Sequence, residues 1–105
     1  MDVKQLLQFY ADGKREFTGI DLSRANLMGS TLAGINLSGA NLSETILSQA
    51  NLTGANLSRA NLSTAYLNRA DLQSANLQEA NLHKADLGEA NLQSAKPRAS
   101  QFGWG

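Results

Sequence analysis

Apolar side chains recur at every fifth residue along most of this chain. Leucine or phenylalanine occupies the central position, a small or apolar residue usually lies two residues before it, and asparagine or aspartate usually lies directly before it. Sixteen such repeats follow one another without an insertion. Their central residues are Phe17, Leu22, Leu27, Leu32, Leu37, Leu42, Leu47, Leu52, Leu57, Leu62, Leu67, Leu72, Leu77, Leu82, Leu87 and Leu92. The pattern indicates a repeat protein.

A period of five fits neither a helix nor a flat strand. Five residues advance an α-helix by about 500°, so successive leucines would point about 140° apart and share no face. In a flat strand, an odd period sends successive leucines to opposite faces. A chain that turns after each short extended piece keeps every leucine inside, and the sequence therefore predicts an all-β solenoid. Turns with positive φ are favoured by glycines two residues after the central position, at Gly19, Gly29, Gly34, Gly39 and Gly54.

A short helix is predicted before the repeats, from Asp2 to about Ala11. Asp2 and Gln5 have the spacing of a capping box, and Gly13 suits the left-handed site that ends a helix. One face collects the apolar residues Val3, Leu6, Leu7 and Tyr10. A helix of this length is marginal alone in water, so we expect it to cap the open end of the repeat stack. A free amphipathic helix that binds a membrane or a partner is the alternative.

Several of the five-residue phrases resemble the pentapeptide-repeat family: Ala40-Asn41-Leu42-Ser43, Ala55-Asn56-Leu57-Ser58-Arg59 and Ala70-Asp71-Leu72-Gln73. The lead-in from Tyr10 to Phe17 is similar to the segment after the capping helix in many cyanobacterial members. The resemblance implies a right-handed quadrilateral β-helix with four pentapeptides in each coil, about four coils, and a short N-terminal α-helix cap. It divides the chain into a capping helix and turn at 1–14, the β-helix at 15–95, and a C-terminal tail or lid at 96–105.

Charged residues favour a coil of twenty residues. Such coils place outward residues twenty apart above one another, at about 4.8 Å. Three opposite-charge pairs then form: Arg24 over Glu44, Arg59 over Glu79, and Arg69 over Glu89. A coil of fifteen would instead place Arg69 over Lys84, a like-charged pair. The same spacing predicts two asparagine columns whose amides hydrogen-bond between coils, namely Asn36, Asn56 and Asn76, and Asn41, Asn61 and Asn81.

The carboxyl end departs from the repeat. Pro97 falls where the next central leucine belongs, and because proline lacks the N–H used for pairing, we expect regular stacking to stop there. Five residues later comes Phe102, which together with Trp104 offers an aromatic lid for the last coil. A frayed tail is one alternative. Pairing of the open coil with a second molecule is another, as the resemblance implies for some members of the family.

Residues that carry chemistry are nearly absent. The only histidine, His83, is at an outward position, and the chain has no cysteine. Asp21, Asp71 and Asp86 take the asparagine position of separate repeats, which does not favour a paired acid–base site. The sequence therefore predicts no catalytic residue, no metal site, no cofactor and no enzyme.

Overall charge limits the partners. Nine basic residues balance nine acidic ones, so no net field attracts nucleic acid or an anionic membrane. No apolar run approaches the roughly 18 residues of a membrane span, and the amino terminus has no signal-peptide pattern. We expect a cytoplasmic protein without a nucleic-acid, membrane or small-molecule partner.

One outward cluster is apolar. At a spacing of twenty, the position before the central residue reads Asn26, Ile46, Tyr66 and Asp86, and Met28 lies diagonally adjacent. We call Met28, Ile46 and Tyr66 the apolar patch. A contiguous patch of this kind can mark a partner surface, and hydrophobic packing between coils without a partner is the alternative.

Two functions are therefore compared. The first is a rigid, non-enzymatic scaffold for protein–protein interaction, either a monomer or an end-to-end dimer through its C-terminal coil. The second is DNA mimicry with binding to gyrase or topoisomerase, which the resemblance implies for quinolone-resistance members. Residues 15–95 carry seven acidic and five basic side chains, a net charge of −2, and about four coils span only roughly 19 Å. A DNA mimic needs a long, strongly acidic surface, so the scaffold is favoured.

Overall fold

Parallel pairing between residues twenty apart organises the structure. The computed structural model describes residues 1–96, and thirteen single-residue bridges join them, from Glu16 with Asn36 to Asn76 with Lys96. Four pentapeptides contain twenty residues, so each repeat lies over the repeat four positions earlier. The coil length expected from the charges is confirmed.

Regular secondary structure within residues 1–96 is limited to one helix, α1 (Val3–Ala11), and to isolated bridges. No described strand is longer than its single bridge residue, which differs from the strands that the term all-β suggests. The reason is the turn in every repeat. The Ala55 N–H donates to the Leu52 carbonyl at 3.0 Å, and equivalent bonds close the other turns. Because a turn begins at each central residue, no extended segment can grow.

The second turn residue has positive φ whether or not it is glycine. Gly39 has a φ of 67° and Arg59 has a φ of 58°. Glycine adopts this region without a steric penalty, whereas other residues are strained there. In all, eleven residues other than glycine have this conformation, with φ between 55° and 62°: Arg24, Glu44, Gln49, Arg59, Thr64, Arg69, Ser74, Glu79, Lys84, Glu89 and Ser94. The repeat geometry therefore overrides residue preference at this position.

Backbone hydrogen bonds between coils have a fixed direction at each position. The N–H of central Leu57 donates to the carbonyl of Asn76 in the following coil, at 2.8 Å. The N–H of Asn56, one residue earlier, donates to the carbonyl of Ile35 in the preceding coil, at 2.9 Å. A central residue is thus a donor only toward the next coil, and the residue before it is a donor toward the previous one.

The hydrophobic core is a column of central leucines. Leu32, Leu52 and Leu72 are fully buried, and each such side chain contributes about 1.5–3 kcal/mol by leaving water. From Ala40 to Ala80 the alanine two residues before the leucine is also buried, and in this range Thr45 replaces it once. The Thr45 hydroxyl donates to the Leu42 carbonyl at 2.7 Å, so this buried polar group is satisfied.

Helix α1 packs on the core as a cap would. The Asp2 carboxylate accepts from the Gln5 N–H at 2.8 Å, and the Gln5 side chain accepts from the Asp2 N–H at 3.1 Å, which completes the expected capping box. Leu6 is fully buried in the core cluster. Phe9 also packs against that cluster, although it lies outside the apolar face expected from the sequence. The division into 1–14, 15–95 and 96–105 stays a prediction.

The asparagine columns do not form the expected ladders. The Asn56 Oδ1 accepts from the N–H of Ser58, two residues along its own chain, at 3.0 Å. This local bond recurs at Asn76, where the donor is the Gln78 N–H. The side-chain oxygen is therefore used within its own repeat, and it holds the turn instead of the neighbouring coil. Of the two columns, only Asn36 makes a described side-chain bond between coils, where its Nδ2 donates to Glu16 Oε1 at 2.8 Å. The expected ladders from asparagine to asparagine are not seen among the described residues.

All three opposite-charge contacts are present. Arg24 Nε lies 2.8 Å from Glu44 Oε1 and Arg69 Nε lies 2.7 Å from Glu89 Oε1, while Arg59 Nη1 and Glu79 Oε1 are 3.8 Å apart. The hydrogen bond that Arg24 donates to the Glu44 carboxylate raises the pKa of Arg24 above its ordinary value. The pairs are exposed, so they report the register of the coils more than they stabilise the fold.

Candidate functional site

The apolar patch is built on successive coils. Asn26 bridges to Ile46, Ile46 bridges to Tyr66, and Tyr66 bridges to Asp86, all in parallel register. The structure therefore places Ile46 and Tyr66 side by side, as the spacing predicts. Met28 belongs to the coil before Ile46, and it occupies the turn position directly after a central leucine.

Exposure varies across the apolar patch. Met28 is 57% exposed and Tyr66 is 51% exposed, and Ile46 between them is half-buried. Met28 and Tyr66 are also, with Met1, the exposed large hydrophobic residues of the described chain. Met28 and Tyr66 thus each expose more than half of their surface, on two coils that are separated by the coil of half-buried Ile46.

Ile46 and Tyr66 also give up a local hydrogen bond. In twelve described repeats, an asparagine or aspartate before the central residue accepts from the N–H two residues later. Isoleucine has no acceptor for this bond, and the tyrosine ring holds its hydroxyl too far from its own backbone. Asparagine at either position would therefore stabilise the turn better than Ile46 or Tyr66 does.

Polar neighbours that the sequence analysis did not select border the patch. Ser48 is twenty residues after Met28, and Asn68 is twenty residues after Ser48. The Ser48 hydroxyl donates to the Asn68 Oδ1 at 2.7 Å, across two coils. Counting by twenty from Met28 would have found both residues. Ser48 and Asn68 thus form a polar edge beside the apolar patch.

The remaining candidate residues lie apart. Asp21, Asp71 and Asp86 occupy different columns, and their bridge partners are Asn41, Asn51 and Tyr66 respectively. The pKa of Asp21 is lowered by the hydrogen bond from the Ser23 backbone, with help from the Ser23 side chain. Their carboxylates accept local backbone N–H groups and do not converge. The arrangement offers no paired acid and base.

Other features of the described surface are limited. His83 is exposed, and its N–H donates to the Asn81 Oδ1 at 3.0 Å. A shallow polar depression of about 280 Å³ lies beside Arg59 and Glu79. Residues 1–96 contain no group of three or more histidine, cysteine or acidic side chains placed to hold a metal ion. Within the same part of the chain, no helix has both the length and the apolar character to cross a membrane.

Coils of twenty residues, a leucine core and an alanine column define a pentapeptide repeat protein. A model of the family described as pentapeptide repeats matches residues 20–59 and 55–93, with eight copies. The chain therefore belongs to the pentapeptide repeat family. No match was found among curated proteins.

Solved structures of cyanobacterial proteins share the fold. A pentapeptide repeat protein from Nostoc Pcc 7120 is 44% identical, with a TM-score of 0.77 over 90% of this chain and 74% of that one. A second, from Cyanothece 51142, is 42% identical, with a TM-score of 0.65 over 77% of this chain and 58% of that one.

HetL, from Nostoc sp. strain PCC 7120, is described as involved in the regulation of heterocyst differentiation. It is 40% identical, with a TM-score of 0.56 over 90% of this chain and 48% of that one. This chain thus spans less than two thirds of the Cyanothece protein and of HetL.

Proposed function

We propose that this protein is a non-enzymatic scaffold for protein–protein interaction. In this proposal the repeats form a rigid, right-handed quadrilateral β-helix of about four coils, and the apolar patch of Met28, Ile46 and Tyr66 contacts the partner. The observation that carries the proposal is the adjacency of Ile46 and Tyr66 at a position where asparagine or aspartate supports the turn in twelve described repeats.

The chemistry of the patch favours a protein partner. Tyrosine and methionine are enriched in protein interfaces, where an aromatic side chain can supply much of the binding energy. The Ser48–Asn68 hydrogen bond beside them provides a polar edge that is already satisfied before binding. A partner would therefore bury apolar area without stripping these polar groups of their bonds.

Rigidity supports a scaffold role. The Leu47 N–H donates to the Tyr66 carbonyl at 2.7 Å, and the Tyr66 N–H donates to the Thr45 carbonyl at 2.9 Å. The backbone on both sides of Ile46 is therefore held to Tyr66. A surface that is held in this way loses little conformational entropy on binding. We place the protein in the cytoplasm, without a cofactor, as a monomer or an end-to-end dimer through its C-terminal coil.

DNA mimicry receives less support. Residues 15–95 have a net charge of −2, with seven acidic and five basic side chains. Six of these charges neutralise one another in the three ion pairs. A surface of this kind cannot imitate the regular negative charge of a duplex, which carries one charge in about every 1.7 Å of its axis.

The test is a double substitution, Ile46→Asn with Tyr66→Asn. Both changes restore the side-chain acceptor that holds the turn elsewhere, so the melting temperature should stay the same or rise. The matched control is Asn56→Ala with Asn76→Ala, which removes two such acceptors from the column two repeats away, half a coil from the patch. Both variants and the unchanged protein are used for quantitative affinity capture from the native cell.

We expect at least one specific protein partner to be lost with the patch variant, by about tenfold or more, and kept with the control. Unchanged recovery of every captured protein with the patch variant would refute the proposed surface. A marked fall in its melting temperature would instead show that Ile46 and Tyr66 serve packing between coils.

A further inference from the structure

Helix α1 covers the core of the first coil but leaves part of that coil's backbone edge open. Phe17, Leu22, Leu27 and Leu32, the central residues of this coil, are at most 5% exposed although no coil precedes them. Leu6 of the helix is fully buried in the same cluster. In the interior, the helix therefore takes the place that a preceding coil would fill.

The backbone of Asn26 is unpaired at this edge. In the next coil, the Ile46 N–H donates to the Ala25 carbonyl at 2.9 Å, and the Ile46 carbonyl accepts from the Leu27 N–H at 2.7 Å. Twenty residues earlier, neither the N–H nor the carbonyl of Asn26 has a hydrogen-bond partner within residues 1–96. Asn26 is also exposed, whereas Ile46 is half-buried.

Met28 lies next along the same edge. Its carbonyl has no partner in the described part of the chain, whereas the Ser48 carbonyl, twenty residues later, accepts from the Gly29 N–H at 2.9 Å. Exposure differs in the same way, because Met28 is 57% exposed and Ser48 is 8% exposed. The Met28 N–H is used locally, by the Asn26 Oδ1 at 3.1 Å. One donor and two acceptors of the backbone are thus free here, and we call them the Asn26–Met28 edge.

The other three repeats of the first coil differ from this one. At Ala33 the equivalent carbonyl accepts from the Tyr10 hydroxyl at 2.6 Å. Glu16 and Asp21 occupy the bridge positions of two further repeats, and each carries a carboxyl group there. Within the first coil, Met28 is the exposed large hydrophobic residue. Free backbone groups and an apolar side chain therefore coincide in one repeat.

We propose that the Asn26–Met28 edge binds an extended segment of a protein partner by β-augmentation, as one more parallel strand beside the apolar patch. This inference rests on the proposed function and adds the class of the partner segment. In the register of the described bridges, the segment's first residue accepts from the Asn26 N–H. Its third and fifth residues donate from their N–H groups to the carbonyls of Asn26 and Met28.

The same register determines which side chains the segment needs. Its second and fourth residues point outward beside Asn26 and Met28, at the spacing of about 4.8 Å between strands. An apolar fourth residue therefore covers Met28 and extends the apolar patch. The third residue points inward, as a central leucine does, toward the interior where Leu6 is buried, so it must be small. The partner segment is thus an extended stretch with a small residue between two larger ones.

A coil of a second copy fits this end poorly. Such a coil would bring four central side chains inward, over a core that α1 already covers. An extended segment brings only one side chain inward, and it pairs with a single repeat. At the other end of the stack, the stop expected at Pro97 and the lid expected from Phe102 and Trp104 concern residues outside the described chain.

A synthetic hexapeptide tests the edge by itself. Its sequence is threonine, valine, alanine, phenylalanine, threonine and lysine, with acetylated and amidated ends, so alanine points inward and phenylalanine lies beside Met28. In the free protein, hydrogen exchange at the Asn26 amide should be nearly as fast as in the unfolded chain, while the Ile46 amide is protected. Peptide at about four times its dissociation constant should slow exchange at Asn26 about fivefold.

Two altered hexapeptides are the controls. Methylation of the alanine nitrogen removes the donor to the Asn26 carbonyl, and leucine in place of alanine puts a large side chain against α1. Each change should weaken binding by about tenfold or more. An Asn26 amide that is already protected in the free protein would refute the open edge. No response of that amide to millimolar hexapeptide, or an equal response to the methylated one, would refute the pairing.

Variants of the full chain test the same N–H. Asn26→Pro removes it, whereas Asn26→Ala keeps it, and both variants lose the side-chain oxygen that accepts from Met28. Their melting temperatures should agree within about 3 °C, because the Asn26 N–H bonds to no described residue. Binding of the hexapeptide should weaken about tenfold or more in Asn26→Pro relative to Asn26→Ala. Equal binding by the two variants would contradict the pairing.

Affinity capture from the native cell separates this inference from the proposed function. We expect Asn26→Pro to lose the same partner as the Ile46→Asn and Tyr66→Asn variant, by about tenfold or more, and Asn26→Ala to keep it. A partner lost with the patch variant but fully recovered with Asn26→Pro would refute edge pairing and leave the proposed surface intact. Unchanged capture by the patch variant, with Asn26 still protected by the hexapeptide, would refute the surface and leave the edge.

Discussion

The hydroxyl of Tyr10 donates a 2.6 Å hydrogen bond to the backbone carbonyl of Ala33. In later coils the equivalent carbonyl accepts from a backbone N–H nineteen residues earlier, as the Thr53 carbonyl does from the Gly34 N–H at 2.9 Å. For Ala33 that donor would be Lys14, whose N–H donates to the Phe9 carbonyl instead. The helix thus supplies, through one side chain, a hydrogen bond that a preceding coil would have made.

Substitution of Tyr10 by phenylalanine should destabilise the cap. The variant Tyr10→Phe keeps the ring, which packs 3.7 Å under the Arg15 guanidinium, but leaves the Ala33 carbonyl without this donor. We expect a loss of about 1 kcal/mol and a fall in melting temperature of about 4–8 °C. Tyr66→Phe is the control, because Tyr66 is 51% exposed, and thermal unfolding followed by circular dichroism should show almost no change for it. Equal shifts for both variants would contradict the role assigned to Tyr10.

Glycine at the second turn position should stabilise the fold more than threonine does. Thr64 has a φ of 55°, a conformation that is unusual for a β-branched residue. We expect Thr64→Gly to raise the free energy of unfolding by about 1 kcal/mol. The reciprocal change, Gly54→Thr, should lower it by a similar amount, since Gly54 has a φ of 68°. Urea titrations measure both, and a destabilised Thr64→Gly variant would show that the strain at this position is negligible.

The exposed ion pairs should contribute little. Arg69 and Glu89 are 2.7 Å apart with side chains 62% and 73% exposed. A double-mutant cycle with Arg69→Ala and Glu89→Ala should give a coupling energy of about 0.2–1 kcal/mol at low salt. The coupling should largely vanish at about 1 M salt, where screening acts over only about 3 Å. A coupling that persists at high salt would mean that the pair is more protected than its exposure indicates.

The Asp21 carboxylate should make stability sensitive to acid. Its pKa is lowered in the folded protein, first of all by the hydrogen bond from the Ser23 backbone. A lowered pKa gives stability that is present above the pKa of the unfolded chain, near 4, and lost as the pH falls through the folded value. Asp21→Asn keeps an acceptor for Ser23 but cannot titrate. Its unfolding free energy should therefore fall less than that of the unchanged protein between about pH 5 and pH 2.5.

If Asp21→Asn and the unchanged protein lose the same free energy of unfolding on acidification, folding does not favour the ionised form of the Asp21 carboxyl group. A titration of the Asp21 side-chain carbon by NMR gives the folded pKa directly.

Much of the architecture could be predicted from the sequence because the repeat pattern indicates which side chains lie inside. The central residues from Leu27 to Leu77 are at most 1% exposed, as the period predicts. The charges also indicated the coil length, since Arg24 and Glu44 have side chains long enough to meet between coils. The capping box at Asp2 and Gln5 is local, and local signals of this kind survive in the folded chain.

Three features of the protein could be assessed only from the folded backbone. The asparagine oxygens, such as that of Asn56, bond within their own turn, where the N–H two residues along the chain lies 3.0 Å away. Phe9 packs against the core together with Val3, Leu7 and Tyr10, so a wider part of α1 contacts the repeats than the sequence predicts. Ile46 and Tyr66 were recognisable from spacing, but the hydrogen bond they forgo was not.

The sequence by itself determined the period, the inward column and the place where the regular repeat is interrupted, because each depends only on the order of side chains along the chain. The tertiary structure alone decided the direction of the backbone bonds between coils, which is the same at Leu57 as at every other described central residue that pairs with a following coil. That direction depends on how neighbouring coils are stacked, which the residue types do not indicate. It explains why the Ala33 carbonyl, for which no earlier coil supplies a backbone donor, accepts from the hydroxyl of Tyr10.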